Sequence, residues 1–197
     1  LRRFNKSIRA LQLLHPLYDI YGNKVTREQA LNHLNLEHGK KYLLFFGLIR
    51  KYKGLDLLLN SFAHVWIPDL VLLVAGEFYE DKETYFSLAK ELGISGRVIF
   101  TDSFIPDEEV KFYFSAVDMV VQPYITATQS GVTQIAYQFD CPMLVTNTGG
   151  LAEIVLNNRT GFVCEKEPLE IAGKISLCFS NHLGPEMVEN IKNEKYR

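Results

Sequence analysis

The chain has 197 residues, 47% of them hydrophobic, and a formal net charge of −2. This length and composition predict one folded domain with a real core and exclude a disordered chain. The near-neutral charge argues against a nucleic-acid partner that would need a general basic field. Apolar runs are too short to span a bilayer, and residues 1–12 lack the apolar core and cleavage site of a signal peptide.

Three cysteines at positions 141, 164 and 178 follow no metal-site pattern, and the five histidines are scattered. We therefore expect reduced, partly buried thiols in a cytoplasmic protein and no metal site. The chain begins without Met and closes within a helical pattern, so we expect a piece of a longer protein.

The predicted elements begin with a helix in TREQALNHL, which Thr26 and Gln29 start at the spacing of a capping box. We assign residues 1–40 to a segment that leads in from a missing amino-terminal domain. Six apolar runs then predict strands at 41–49, 70–76, 97–102, 118–124, 142–146 and 160–164. Their continuous apolarity indicates strands that are buried on both faces.

Helical patterns separate these strands. Apolar spacing predicts a helix over 54–66, and Gly93 ends another over 82–93. Three carboxylates open a helix over 107–116, and further helices begin in TQSGVT and at Leu151. The alternation predicts an α/β fold, a Rossmann-like parallel sheet with helices on both faces, over 41–180. Residues 181–197 are predicted to be a truncated helical tail.

Ligands of such sheets bind beyond the carboxyl ends of the strands, so the loops there form the candidate site. The first loop, GLIRKYKG, carries Gly47, Arg50 and Lys53. Glycine allows a ligand to approach the backbone, and the two cations suit a phosphate. A solvated basic turn is the alternative for this loop.

The second and third loops contain Gly76, Phe104 and Ile105. Gly76 is predicted to be a position of close approach, and the third loop offers backbone groups and a ring to a flat base. A simply packed loop is the alternative reading of these residue types.

The fourth loop, TATQSGVTQ, combines hydroxyls and amides with a glycine at a helix start. Free N–H groups at such a start attract an anion. The predicted anion contacts are the amides of Ser130, Gly131, Val132 and Thr133. Hydroxyl and amide side chains of this kind, such as Thr128, Gln129 and Gln134, also suit the hydroxyls of a sugar. A simple N-cap by Ser130 or Thr128 is the alternative.

The fifth loop begins NTGGLAEIV at position 147. We interpret it as a loop that packs beside the fourth and shapes the wall of the site, with Glu153 in a capping role. The chain contains no Ser-His-Asp or Cys-His arrangement, no GxGxxG fingerprint and no P-loop. These absences argue against a dinucleotide dehydrogenase and an NTPase.

The order of five segments resembles a known family. They are FFGLIRKYKGLDLLLNSF, LVLLVAGE, RVIFTDSFIPDEEVKFYFSAVDMVVQPY, CPMLVTNTGGLAEIV and RTGFVC. This order resembles the carboxyl-terminal, donor-binding domain of group 1 (family 4, retaining) GT-B glycosyltransferases, and HPLYDIYG resembles the stretch that enters it. The resemblance implies a nucleotide-diphosphate sugar as substrate and no cofactor. It also implies a glycan or lipid-linked acceptor, held by the missing amino-terminal domain.

Within this resemblance, Lys53 before Gly54 matches a lysine that grips the diphosphate. Leu48 stands where the family often has arginine, so we expect Arg50 to substitute. Stabilisation of the leaving diphosphate by these cations and the amides of the fourth loop would carry the mechanism.

The family also has two glutamates with seven residues between them, and this chain lacks both. Counting back from the proline of the fifth strand places them at positions 127 and 135, whereas aligning on Gly131 places them at 128 and 136. We expect Thr128 or Gln129 to replace the first glutamate and Gln134 the second, with Ile135 packed inward. The catalytic group stays unknown.

Three alternatives to a transferase remain open. The first is a module that binds a nucleotide sugar without turnover, for which the absent glutamates argue. The others are a GT-B nucleotide-sugar epimerase and a plain interaction domain. For the full-length protein, a role in polysaccharide biosynthesis is expected, and a peripheral contact with the inner face of the membrane is left open.

Overall fold

A computed structural model of the chain describes residues 20–195. Its strands are β1 (Lys41–Phe46), β2 (Leu70–Ala75), β3 (Val98–Thr101), β4 (Met119–Gln122), β5 (Met143–Thr146) and β6 (Gly161–Cys164). They form one sheet in the order β3-β2-β1-β4-β5-β6, and every pairing is parallel. The predicted α/β fold and all six predicted strands are confirmed.

Helices cover both faces of this sheet. They are α1 (Arg27–His33), α2 (Leu55–Phe62), α3 (Lys82–Glu91), α4 (Asp107–Ala116), α5 (Gly131–Gln138), α6 (Leu151–Ile154), α7 (Pro168–Ser180) and α8 (Gly184–Glu194). Along β1, Tyr42 and Leu44 join a core with α1 and α4, while Leu43 and Phe45 join a second core with α2, α3 and α7. Alternate side chains of one strand thus serve two cores, which explains its continuous apolarity.

The first described helix starts with the predicted capping box. The Thr26 hydroxyl accepts from the Gln29 amide at 3.2 Å, and the Gln29 side chain accepts from the Thr26 amide at 3.1 Å. Leu31 of α1 and Ile191 of α8 are buried in the core that also holds α4. The domain limits at 40 and 180 stay a prediction, and described residues on both sides of each limit share the cores of the sheet.

The helix predicted over 54–66 ends one turn early, at Phe62. Beyond it the backbone tightens, since the amides of His64 and Val65 bond three residues back, at 3.0 and 3.1 Å. Pro68 follows, and the residue before a proline avoids helical dihedrals. The prediction overran because apolar spacing continued through Val65, which is buried in the core without being helical. Of the segment HPLYDIYG, residues 15–19 lie outside the described part.

All three cysteines are buried and unpaired. Burial raises the pKa of Cys141 to about 12, which makes its thiol inert at neutral pH. Within residues 20–195, no group of three or more His, Cys, Asp or Glu side chains could hold a metal ion. The same residues include no helix that is long and apolar enough to cross a membrane.

One glycine of the sheet has no room for a side chain. At Gly161, the first residue of β6, an added Cβ would collide with the main-chain carbonyl of Met143 on the neighbouring strand. Gly173, inside α7, would place a Cβ in open space, with nothing within 4 Å. The two glycines therefore form a matched pair, one required by packing and one not.

We predict opposite effects of alanine at these two positions. Gly161→Ala should lower the free energy of unfolding by about 1–3 kcal/mol, the usual cost of overpacking. Gly173→Ala should raise it by about 0.5–1 kcal/mol, since alanine favours the helix. Urea unfolding followed by circular dichroism measures both changes. Equal effects of the two substitutions would contradict the predicted packing of β6 on β5.

Candidate functional site

The loops that follow the strands meet at one edge of the sheet, here called the carboxyl edge, because all strands run parallel. A central cavity of about 340 Å³ lies between the first and fourth loops. Nine residues line it: Tyr21, Tyr52, Lys53, Tyr124, Gln129, Ser130, Gly131, Val132 and Ile135. Five of them were predicted from the sequence as contacts of the donor.

Two smaller groups of predicted residues adjoin this central cavity. An inner cavity of about 160 Å³ is lined by Gly47, Gly76, Phe104 and Ile105, and it shares Tyr21 with the central one. An outer cavity of about 380 Å³ is lined by Thr126, Ala127 and Thr128, and it shares Tyr52 and Gln129 with the central one. Most of the residues predicted for base, diphosphate and sugar thus line three adjoining spaces in that order. Gly47, which was predicted for the diphosphate, lines the inner cavity instead of the central one.

Lys53 is the most unusual residue of the central cavity. Lys53 is the last residue of a 3₁₀ turn (Lys51–Lys53), and it is only 8% exposed. The ammonium lies 5.7 Å from the centre of the Tyr124 ring, and a Cβ added to Gly47 would stand 3.1 Å from it. Among residues 20–195, no carboxylate pairs with it and no acceptor hydrogen-bonds to it.

Burial, together with the nearby charge of Arg50, lowers the pKa of Lys53 to about 8. A buried cation without an anion is costly, because water no longer solvates it. The cavity is therefore electrostatically complementary to a negatively charged ligand.

The amino end of α5 adds hydrogen-bond donors to the same cavity. Ser130 is the N-cap residue, and its side chain makes no capping bond to the helix. The amides of Ser130, Gly131 and Val132 find no acceptor within the described residues. Open amides at a helix start attract anions, and Lys53 borders the same space.

Thr133 departs from the predicted set of anion contacts. Its amide donates to the Ser130 carbonyl at 3.2 Å, which closes the first turn of α5. Its hydroxyl donates to the Gln122 side chain at 3.0 Å, and the residue is fully buried. Thr133 thus holds the helix in place, and the prediction that its amide is free for a ligand is wrong.

Gln134 does not line the central cavity, contrary to our expectation, whereas Ile135 packs into the core as expected and also borders that cavity. Ile135 lines the central cavity beside Gly131 and Val132, whereas Gln134 is 5% exposed on another side of α5. Successive residues of a helix point about 100° apart, so the two side chains cannot share one direction. The alignment that counts back from the proline is the one that matches the cavity, and it places an apolar residue at the second glutamate position.

Arg50 lies on the outside of the first loop. It is exposed, and its guanidinium stacks 4.6 Å from the centre of the Tyr79 ring. It contributes positive charge near Lys53 without lining the central cavity. Its contact with a diphosphate stays a prediction that would require leaving this stack.

The fifth loop packs on the fourth, as we interpreted it. The Gly150 amide donates to the Thr128 carbonyl at 2.8 Å. A Cβ at Gly149, which has φ +50°, would collide with the Ala127 carbonyl. This loop therefore packs behind the fourth loop, and none of residues 147–155 lines the three cavities.

Three tyrosines that line the central cavity, Tyr21, Tyr52 and Tyr124, were missed in the sequence, and so was Gln122 below them. Tyr52 stands between the central and outer cavities, with 44% of its surface exposed and its ring edge-on to Tyr124. Gln122 is buried beneath them and holds Ser130. The only signal for Gln122 was a polar residue at the end of an apolar strand.

A larger cavity of about 520 Å³ lies at the opposite edge of the sheet, near Lys41 and Pro142, where strands begin. Its acids already have basic partners, since Asp118 pairs with Arg27 at 2.9 Å and Asp140 with Lys195 at 2.6 Å. Size alone does not make a binding site, and none of the cations that line this cavity is buried as Lys53 is.

The fold is a Rossmann-like domain, and its carboxyl edge is electrostatically complementary to an anion. The chain belongs to the glycosyl transferases of group 1, since the model of that family matches residues 26–197.

Individual proteins agree with this assignment. D-inositol 3-phosphate glycosyltransferase of Corynebacterium efficiens is 26% identical over 87% of this chain, which spans only 43% of that protein. The C-terminal domain of the group 1 glycosyl transferase LpcC from Francisella tularensis superposes with a TM-score of 0.77, at 22% identity, over 89% of this chain and 93% of that one. Anabaena HepE, solved in complex with UDP and glucose, has a TM-score of 0.75 at 20% identity, over 90% and 49% of the two chains.

We predict that the burial of Lys53 makes the free energy of unfolding depend on pH. The pKa of Lys53 is about 8 in the folded protein, against an ordinary 10.5. Between these values the unfolded chain binds more protons, so the Lys53 contribution to stability rises with pH. Lys53→Met should therefore stabilise the protein at pH 7 by up to roughly 3 kcal/mol, and this gain should shrink between pH 8 and pH 10.5.

Urea unfolding at a series of pH values measures this difference. Lys51→Met, at the exposed lysine two residues earlier, is the matched control and should give no comparable trend. A gain that does not change with pH would show that the Lys53 ammonium is solvated.

Proposed function

We propose that this chain is the donor-binding part of a glycosyltransferase that moves a sugar from a nucleotide-diphosphate sugar to an acceptor. The observation that carries the proposal is the buried, unpaired ammonium of Lys53 beside the open amides of α5. A diphosphate supplies the negative charge and the acceptor oxygens that these groups lack. Family membership and the UDP complex of the Anabaena protein support the same substrate class.

The three cavities order the parts of this donor. We place the base in the inner cavity, where Gly76 and Ile105 bring backbone and an apolar surface together and Phe104 offers an exposed ring. The diphosphate lies in the central cavity, and the sugar reaches the hydroxyl and amide of Thr128 and Gln129 in the outer one.

The chemistry that follows is stabilisation of the leaving group. As the bond between sugar and diphosphate breaks, negative charge grows on the diphosphate oxygen. The Lys53 ammonium and the amides of Gly131 and Val132 are already oriented around that position, so little reorganisation is needed. A pre-oriented site stabilises the transition state more than a flexible one does.

The acceptor, glycan or lipid-linked, would bind to another part of a longer protein, as would any surface that contacts the membrane. Hexosyl transfer, the cytoplasmic location and the identity of the base are further elements of the proposal. They rest on the family resemblance and on the composition of the chain.

A second candidate is a module that holds a nucleotide sugar without turnover. Ile135 favours it, since this apolar residue lines the cavity where the family places a glutamate. Incubation of the full-length protein with a radiolabelled nucleotide sugar separates the candidates. Transfer of the label to an acceptor supports the transferase, and an altered sugar indicates an epimerase. Tight binding of the nucleotide sugar, with no sugar released or transferred, supports the module.

We predict that Lys53→Ala selectively weakens binding of a nucleoside diphosphate. The loss of one charged hydrogen bond is worth about 1.5–3 kcal/mol, or roughly 10- to 150-fold in affinity. Binding of the corresponding nucleoside, which has no phosphate, should change little. Calorimetric titration of both ligands checks this, with Lys51→Ala as the matched exposed-lysine control. Equal weakening of nucleoside and nucleoside diphosphate would place Lys53 away from the phosphates.

We further predict that these 197 residues bind a nucleoside diphosphate but transfer no sugar. Transfer needs an acceptor held against the donor, and the described carboxyl edge is the face left open for it. A thermal-shift screen with UDP, GDP and ADP detects binding, and product analysis with candidate acceptors detects transfer. Efficient transfer by this chain alone would overturn the two-domain arrangement.

A further inference from the structure

Gln122 is a polar side chain in a strand that is otherwise apolar, and only 1% of it is exposed. A buried amide is tolerated when its hydrogen bonds are satisfied. Its nitrogen donates to the Ser130 hydroxyl oxygen at 2.8 Å, and its oxygen accepts from the Thr133 hydroxyl at 3.0 Å. Gln122 thus joins the end of β4 to both sides of the first turn of α5.

Ser130 behaves unusually as a consequence. A serine at the N-cap normally accepts a hydrogen bond from the second or third amide of its helix. Ser130 has the extended backbone of an N-cap, with φ −143° and ψ 127°, yet its side chain makes no such bond. Its oxygen is held by Gln122 and lies 3.4 Å from the Tyr124 hydroxyl.

We propose that Gln122 is a positioning residue that keeps the amino end of α5 open for an anion. It does so by holding the Ser130 hydroxyl away from the helix that this hydroxyl would otherwise cap. The hydroxyl cannot point toward the strand and toward the Val132 amide at the same time. Without Gln122 it turns back, occupies the Val132 amide and competes with the ligand.

This inference rests on the proposed function, because the anion concerned is the diphosphate of the donor. It distinguishes residues of the site that contact the ligand from a residue that orients them. Lys53 and the amides contact the ligand, whereas Gln122 touches none of it and acts through Ser130. A purely structural role for Gln122 would leave the Val132 amide unprotected when Gln122 is replaced.

A double-mutant cycle separates these two roles. The variants are Gln122→Met, Ser130→Ala and the double variant, and the probe is inorganic pyrophosphate in a calorimetric titration. Gln122→Met should weaken pyrophosphate binding about five- to tenfold when Ser130 is present, the size of a capping interaction. In the Ser130→Ala background, the same substitution should change the affinity less than about twofold. Equal losses in both backgrounds would overturn the inference.

A second measurement needs no ligand. Amide hydrogen exchange by NMR should show the Val132 amide becoming protected in Gln122→Met and staying unprotected in the double variant. An unchanged Val132 amide in Gln122→Met would contradict the inference. Thermal unfolding establishes that the variants are folded. If Gln122→Met does not fold, Gln122→Asn, which withdraws the amide by one methylene, takes its place.

The proposed function and the positioning role of Gln122 can be refuted independently of each other. If the unsubstituted protein binds neither pyrophosphate nor a nucleoside diphosphate, the proposed function is wrong, and the exchange of Val132 still decides what Gln122 does. If the protein binds pyrophosphate but the cycle shows no coupling between Gln122 and Ser130, the donor site stands and the positioning role is wrong.

Discussion

The carboxyl edge of this protein depends on close contact between main chains of neighbouring loops. At three points a glycine with positive φ lies against a carbonyl of another loop, where any Cβ would collide. These contacts pair Gly76 with Gly47, Gly54 with Pro123, and Gly149 with Ala127. No side chain fits at these three contact points, so four of the loops form one continuous surface around the three cavities.

The burial of Lys53 follows from this arrangement. Gly54 turns the chain directly after Lys53, and the Ile125 amide donates to the Tyr52 carbonyl at 2.7 Å, which ties the first loop to the fourth. The lysine is therefore enclosed between two loops whose backbones cannot separate. A flexible side chain becomes a fixed charge, which is what a site that stabilises a leaving diphosphate requires.

Much of this was readable from the sequence, for physical reasons. Continuous apolar runs predicted strands that serve two cores, and parallel strands bring their following loops to one edge. Gly47, Gly76, Lys53 and the loop around Gly131 could therefore be placed together before any geometry was known.

The sequence did not determine where individual side chains and amides of the site point. The error at Gln134 came from one residue of phase, which turns a helical side chain by about 100°. Arg50 stacks on the ring of Tyr79, and residue type alone does not tell whether a cation near a site stacks on a ring or faces a phosphate. The Thr133 amide donates to the Ser130 carbonyl in the first turn of α5, so it is not open to a ligand. Each outcome depends on local competition for hydrogen bonds or rings, which residue types alone do not settle.

The pKa of Lys53 is about 8, so near this pH only part of the molecules carry the charged ammonium. The fraction that is charged depends on whether an anion is bound beside it. A bound polyanion favours the charged ammonium and moves its pKa back toward the ordinary range. Near and above pH 8, the protein should therefore take up a fraction of a proton from the buffer when a polyanion binds at Lys53, and return it on release. The heat of binding then includes the ionisation heat of the buffer, so calorimetry in two buffers of equal pH counts protons as well as ligands.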